Sequence, residues 1–212
     1  MAGRKSAVAD SAAELIPDKP TLTKLRDAAL TCQACDLWKR GTQTVFGAGG
    51  VRSIAMFVGE QPGNEEDLSG QPFVGPAGKL LDRALEAAGI DRTQAYVTNV
   101  VKHFKWVPRG KRRIHEKPNA AEIFACRPWL DAEITLIRPK VLVCLGATAA
   151  QALLGKEFRV SRQRGQFIES SLAPRVIATV HPSSILRATD EDTRRAEMEL
   201  FIEDLKKVAK AI

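Results

Sequence analysis

The sequence predicts an α/β protein, a three-layer α/β/α sandwich on a central four-stranded parallel sheet. Two observations lead there: short β-rich runs that are apolar almost throughout, and segments of helical periodicity lying between them. Strands buried on both faces show no polar alternation, and alternating strand and helix sets successive strands parallel beneath a cover on each side. Length agrees, since 212 residues with 44% hydrophobic content can bury one substantial core.

In chain order, residues 1–20 scatter Arg4, Lys5, Asp10, Glu14 and Asp18 among alanines and are expected to form a flexible tail, with 21–212 as a single domain. The first strand is expected over Ile54–Gly59 and a helix over Ala77–Ala88, with Pro76 at its start and Gly89 past its end. A second strand follows over Ala95–Val101, then a helix over Ala120–Ile137 closed by Pro139. Lys140–Gly146 reads as the third strand, Ala147–Leu154 as a helix and Arg175–Val180 as the fourth strand. The amphipathic segment from Glu191 to Ala211 reads as a helix packed on the sheet. The longest apolar run, Val141–Leu154, is interrupted by Thr148 and Gln151 and falls short of the roughly 18 residues of a membrane span. No membrane association is expected, and a cytoplasmic location is. In that reducing compartment the four cysteines are not expected to form disulfides. Cys144, inside an apolar strand, reads as core, and Gly47-x-Gly49-Gly50 as a turn.

Lys and Arg number 32 against 25 Asp and Glu, and the net charge of +7 favours an anionic partner. Lys102, Lys105, Arg109, Lys111, Arg112, Arg113 and Lys117 crowd one stretch, opposed only by Glu116. Such a cluster can neutralise phosphates, while Phe104 or Trp106 can stack on an unpaired base and Gly110 keeps the loop mobile. In doubly covered sheets, ligands bind beyond the carboxyl ends of the strands. Three polar loops fall there: Gly59-Glu60-Gln61-Pro62-Gly63, Thr98-Asn99 and His181-Pro182-Ser183-Ser184. Each alone is an ordinary turn. Cys32-x-x-Cys35, with Cys126 further on, is a pattern for metal binding or redox work.

Those loops, with Glu66-Asp67 and Pro72-Phe73-Val74-Gly75-Pro76-Ala77-Gly78, resemble the uracil-DNA glycosylase superfamily from about Cys32 to the final helix. Within it the chain resembles the cluster-containing branch, and most closely the UdgX-type proteins, through Lys111-Arg112-Arg113-Ile114-His115 and through Gln61 after the glutamate. A monomer is expected, and the resemblance implies an enzyme that excises uracil from DNA, with single strands preferred because no base pair must open. It implies that His181 donates to a uracil carbonyl oxygen, Asn99 reads the uracil edge and Phe73 stacks on the extruded base. Gly59, Gly63, Ser183 and Ser184 complete the base-binding set. Glu60 and Asp67 are placed near the sugar, where negative charge favours an oxocarbenium ion, and Gln61 holds that geometry. His115 is implied to join covalently to the abasic sugar. A phosphate contact by His115, conventional multiple turnover, and a non-catalytic DNA-binding protein are the alternatives. Lys102, Lys105, Arg109, Lys111, Arg112 and Arg113 are the expected DNA contacts.

Relatives in the cluster-containing branch carry a further cysteine where this chain reads Lys102-His103. Cys32, Cys35, His103 and Cys126 are therefore the implied ligands of a 4Fe-4S cluster, with imidazole replacing one thiolate. By ligand type alone the same set would make a closed zinc site; the resemblance favours iron.

Overall fold

A computed structural model describes residues 11–212. Its elements are α1 (Leu22–Ala29), β1 (Ala55–Gly59), α2 (Asn64–Ser69), α3 (Pro76–Ala88), β2 (Ala95–Asn99), β3 (Trp106–Arg109), β4 (Arg112–His115) and α4 (Ala120–Ile137). They continue with β5 (Val141–Leu145), α5 (Ala147–Leu154), α6 (Val160–Gln163), β6 (Phe167–Ile168), β7 (Arg175–Thr179), α7 (Pro182–Leu186) and α8 (Glu191–Ala209). The main sheet runs β2-β1-β5-β7-β6, its first four strands mutually parallel. These are the strands that the apolar runs mark, and the fold is the three-layer α/β sandwich expected. In this sheet, among the described residues, one strand is additional: β6, two residues long, pairs antiparallel with β7, too short to leave a periodic signal.

Helix boundaries follow local chemistry. Pro76 opens α3, and Gly89 ends it in the left-handed region at φ 77°. Asn119 caps α4 by accepting from the Glu122 N–H at 2.9 Å, while Glu122 accepts from the Asn119 N–H at 2.7 Å. Buried strand residues divide between two apolar layers. Met56, Val58, Leu142 and Cys144 face one with Trp129 and Leu130 of α4, and Phe57, Val97, Val143 and Ile177 face the other with α3 and α8. Cys144 lies in that core, as its strand context suggested.

The expected flexible tail needs correction where it is described. Residues 1–10 lie outside the described residues, but Ala12–Leu15 forms a single turn capped by Ser11, with Ala12 fully buried and the turn packed on α4. Burying Ala12, with Leu15 and Ile16 against the same core, outweighs the polar composition around them. Among the described residues no helix is long and apolar enough to cross a membrane.

Candidate active site and metal centre

A cavity of about 860 Å³ opens at the carboxyl ends of β1, β2, β5 and β7, lined among others by Glu60, Gln61, Phe73, Asn99, His115 and His181. Its floor is Gly59, where no side chain fits: a Cβ there would stand 2.4 Å from Asn99 Oδ1, 2.8 Å from Phe73 Cζ and 3.4 Å from His181 Nε2. Three loops from different parts of the chain therefore converge over one α-carbon. Phe73 adopts φ 58°, costly for a residue with a side chain, and its ring stacks at 29° to the His181 ring with centroids 6.2 Å apart.

His181 caps α7, and its tautomer follows from its partners. The Ser183 N–H, which can only donate, reaches Nδ1 at 3.1 Å, and Ser183 Oγ lies 2.8 Å from the same nitrogen. Nδ1 is thus an acceptor, and the neutral ring carries its proton on Nε2, the nitrogen nearest the Gly59 floor. Burial pushes the His181 pKa down to about 4, against the opposing pull of Glu60 and with help from Arg187 and His115, so a neutral N–H donor stands in the cavity at pH 7. Ser184 Oγ donates to the His181 carbonyl at 2.8 Å. Behind the ring, Gly146 at φ 89° would place a Cβ 2.9 Å from His181 Cβ, so the β5–α5 corner needs glycine for both its angle and the close approach.

The expected mobile basic loop is instead an antiparallel hairpin, with Trp106 opposite His115 and Arg109 opposite Arg112 across a turn at Gly110–Lys111. It is bound to the body at several points. Gln61 Nε2 donates to the carbonyls of Lys105 and Glu116 at 3.2 and 3.1 Å, and Gln61 Oε1 accepts from the Lys105 N–H at 3.1 Å, clasping both strands at the open end of the hairpin. Arg113 donates to Asp67 at 2.6 Å and to Asn64 Oδ1 at 2.7 Å, with its guanidinium over the Phe104 and Trp106 rings. Trp106 Nε1 donates to the Arg40 carbonyl at 2.9 Å. So held, the half-exposed His115 puts Nε2 3.1 Å from Glu60 Oε1, and the Thr148 hydroxyl donates to Glu60 Oε2. Burial raises the Glu60 pKa, but hydrogen bonds from His115 and Thr148, with favourable electrostatics from the His115 and His181 rings, outweigh it and hold the carboxyl below its usual range.

Four of the residues singled out from the sequence take other roles. Asp67 does not line the cavity: it is fully buried, accepts from the Thr42 N–H at 2.8 Å and hydroxyl at 2.6 Å, and pairs with Arg113. Its carboxylate anchors the hairpin, because those donors saturate it. Lys102 is no surface cation: only 1% exposed, it donates to Glu133 at 2.6 Å, Thr98 Oγ1 at 2.7 Å and the Asn99 carbonyl at 2.9 Å. Lys105 pairs with Glu122 at 3.1 Å, and Arg113 is committed to Asp67, which leaves Arg109, Lys111 and Arg112 as the exposed cations of the hairpin end.

The sequence reading also left lining residues unassigned. Glu66 accepts from the Gly63 N–H at 3.0 Å and the Gly75 N–H at 2.8 Å, pinning the loop after β1 to the Phe73 loop. Thr148, Lys117 and Arg187 also line the cavity. Thr148 follows β5 by three residues, where the strand-end rule places ligand contacts, yet its apolar surroundings hid it.

Cys32 and Cys35 precede β1, His103 follows β2 and Cys126 lies in α4. Burial pushes the Cys126 thiol pKa up to about 12, with Lys102 opposing and Cys35 and Cys32 adding to the rise. Cys126 Sγ accepts from the Lys102 N–H at 3.2 Å, and Cys32 Sγ from Trp129 Nε1 at 3.3 Å. In iron–sulfur proteins, hydrogen bonds to ligating sulfurs help set the reduction potential. His103 is buried, and burial pushes its pKa down to about 4, keeping the ring neutral. Its Nε2 lies 3.0 Å from Thr44 Oγ1, whose one proton goes to the Ala29 carbonyl at 2.8 Å. Nε2 is therefore the donor and Nδ1 keeps a lone pair, as a metal-binding imidazole requires. Among the described residues no group of three or more His, Cys, Asp or Glu side chains is arranged to hold a metal ion. Three cysteine sulfurs and one imidazole nitrogen are donor types that either an iron–sulfur cluster or zinc accepts.

Compared with known proteins, the chain matches the uracil DNA glycosylase superfamily over residues 46–206. It is 40% identical to a type-4 uracil-DNA glycosylase of Thermotoga maritima over 177 residues, 83% of this chain and 86% of that one. It is also 40% identical to a type-4 uracil-DNA glycosylase of Archaeoglobus fulgidus over 164 residues, 74% and 79% of the two chains. A type-5 uracil-DNA glycosylase of Pyrobaculum aerophilum is 25% identical over 207 residues, 90% and 86% of the two.

Proposed function

The chain belongs to the uracil DNA glycosylase superfamily, and from that premise we propose that it excises uracil from DNA and captures the abasic sugar through His115, in the manner of the UdgX-type proteins. The observation that carries the capture is His115 Nε2, 3.1 Å from Glu60 at the mouth of a cavity whose floor joins Asn99, Phe73 and His181.

The base enters the slot over Gly59, stacks on Phe73 and presents its edge to the Asn99 amide, whose adjacent donor and acceptor match uracil and disfavour cytosine. As the bond from C1′ to uracil N1 breaks, its electron pair leaves with the base, and His181 Nε2–H donates to the carbonyl oxygen where charge collects. A donor so placed contributes about 3 kcal/mol to the transition state. The Glu60 carboxylate favours the oxocarbenium sugar and accepts the His115 Nε2 proton, exposing the lone pair that bonds C1′. That proton passes on to the departing uracil anion. The adduct is an N-alkylated imidazole without a good leaving group, so each molecule turns over once. Gln61 and the Asp67–Arg113 pair keep the hairpin in place for this step. Ser183, Ser184 and Gly63 shape the base slot through His181 and Glu66.

Arg109, Lys111, Arg112 and Lys117 would bind the phosphates, and a single strand is preferred because the target base need not be unpaired. We assign Cys32, Cys35 and Cys126, with His103 through Nδ1, to a 4Fe-4S cluster that ties the segment before β1 to the end of β2 and to α4. The enzyme is expected to act as a monomer in the cytoplasm.

A denaturing gel tests the reading. Uracil-containing oligonucleotide should yield a slow species that survives heat and detergent and disappears in His115→Ala. Uracil release without that species from the native protein selects ordinary turnover, and equal binding of uracil and thymine oligonucleotides with no cleavage selects a non-catalytic DNA binder.

A further inference from the structure

Glu60 has two carboxylate oxygens with different partners. Oε1 faces His115 Nε2 at 3.1 Å, and Oε2 accepts from the Thr148 hydroxyl. Thr148 is buried in the first turn of α5, behind Gly146, and its side chain reaches the cavity wall. A threonine in a helix has few rotamers, so its hydroxyl is a stiff anchor. Glu60, by contrast, sits in the loop after β1 with its carboxylate one-fifth exposed. Without a second contact its carboxylate could rotate away from the imidazole. The α5 amino end, with no side-chain cap at Gly146, also offers positive dipole charge on the side where the carboxylate lies.

We infer that Thr148 is a positioning residue: its hydroxyl locks one Glu60 oxygen so that the other is aligned to take the His115 proton. This rests on the proposed His115–Glu60 chemistry. The same hydrogen bond helps hold Glu60 ionised, since it is among the contacts that oppose the effect of burial. Removing it raises the Glu60 pKa, and the acid limb of the rate profile follows that carboxylate upward.

Three variants of the full-length protein separate this role from a structural one. Thr148→Val keeps the shape and loses the donor, Thr148→Ser keeps the donor, and Thr148→Ala checks any variant that packs poorly. Single-turnover uracil release and adduct formation are measured from acid to neutral pH, at saturating and limiting uracil oligonucleotide. Thr148→Val and Thr148→Ala should slow the saturated rate at neutral pH by roughly tenfold, the worth of one hydrogen bond to a charged group. The half-saturating oligonucleotide concentration should stay unchanged, and the acid limb should move to higher pH. Thr148→Ser should return both rate and pH profile to within about twofold of the native protein. A native rate and unmoved acid limb in Thr148→Val, or a serine variant no better than valine, overturns the inference while the glycosylase reading stands. A native protein that releases no uracil overturns both.

Discussion

The buried pair formed by Lys102 and Glu133 makes the most demanding prediction, because it links core stability to the base slot. The two side chains are 1% and 0% exposed, and their charged atoms meet at 2.6 Å. Glu133 also accepts from Tyr96 Oη at 2.8 Å, from Thr98 Oγ1 and from the Gly47 N–H at 3.1 Å, while Lys102 grips the Asn99 carbonyl. Lys102→Met removes the cation and leaves a carboxylate enclosed in the core. Breaking such a pair on one side costs about 3–5 kcal/mol. In a chain of this size that lowers Tm by roughly 6–20 °C. Glu133→Gln should cost a similar amount by leaving the ammonium unneutralised. The double variant should cost less than the sum of the singles by about 2 kcal/mol, the coupling expected of neighbours. Thermal and urea unfolding of the four proteins measure this directly. Oligonucleotide affinity of Lys102→Met, measured across salt concentrations, should keep the native slope, since this lysine touches no phosphate. A Tm within a degree or two of native, additive single variants, or a shallower salt slope would each refute the reasoning.

Other perturbations follow from individual contacts. Glu66→Gln can accept only one of the two N–H groups that the carboxylate now joins, so inhibition by free uracil should weaken by roughly tenfold while affinity for abasic DNA holds; unchanged inhibition would remove Glu66 from the slot. Arg113→Ala frees the hairpin from Asp67 and should lower the ratio of adduct to released uracil on gels, and an unaltered ratio would mean that the hairpin needs no anchor. His181 is held neutral when folded and protonates near 6.5 when unfolded, so the unfolded chain binds more protons between about pH 4 and 6.5. Stability should therefore fall as pH drops through that window, and the urea midpoint of His181→Gln should fall less steeply than that of the native protein. On the proposed cluster assignment, native protein should contain iron and absorb broadly in the visible and Cys126→Ser should lose both; colourless native protein containing zinc would refute the cluster.

Much of the scaffold was legible because its signals are local. Apolar runs such as Val141–Leu145 show up in composition, and Pro76 and Gly89 mark helix ends through backbone rules that need no tertiary knowledge. The strand-end rule then located Glu60, Asn99 and His181 together. What escaped depends on partners distant in sequence. Lys102 lies in the same basic stretch as Arg109, and only Glu133, 31 positions away, distinguishes a core ammonium from a surface one. Asp67 lies next to Glu66, yet one turns toward Arg113 and the other toward the loops of the slot.

The sequence alone determined the layer architecture, the polar loops at one sheet edge, and the kinds of side chain available for chemistry and for metal. Tertiary structure decided which of those side chains face the cavity, which nitrogen of His181 and of His103 carries the proton, and that the basic loop is a pinned hairpin. The division is physical. Periodicity and capping act over a few residues, whereas burial, tautomer and ion pairing depend on groups brought within about 3 Å by segments that the chain order keeps far apart.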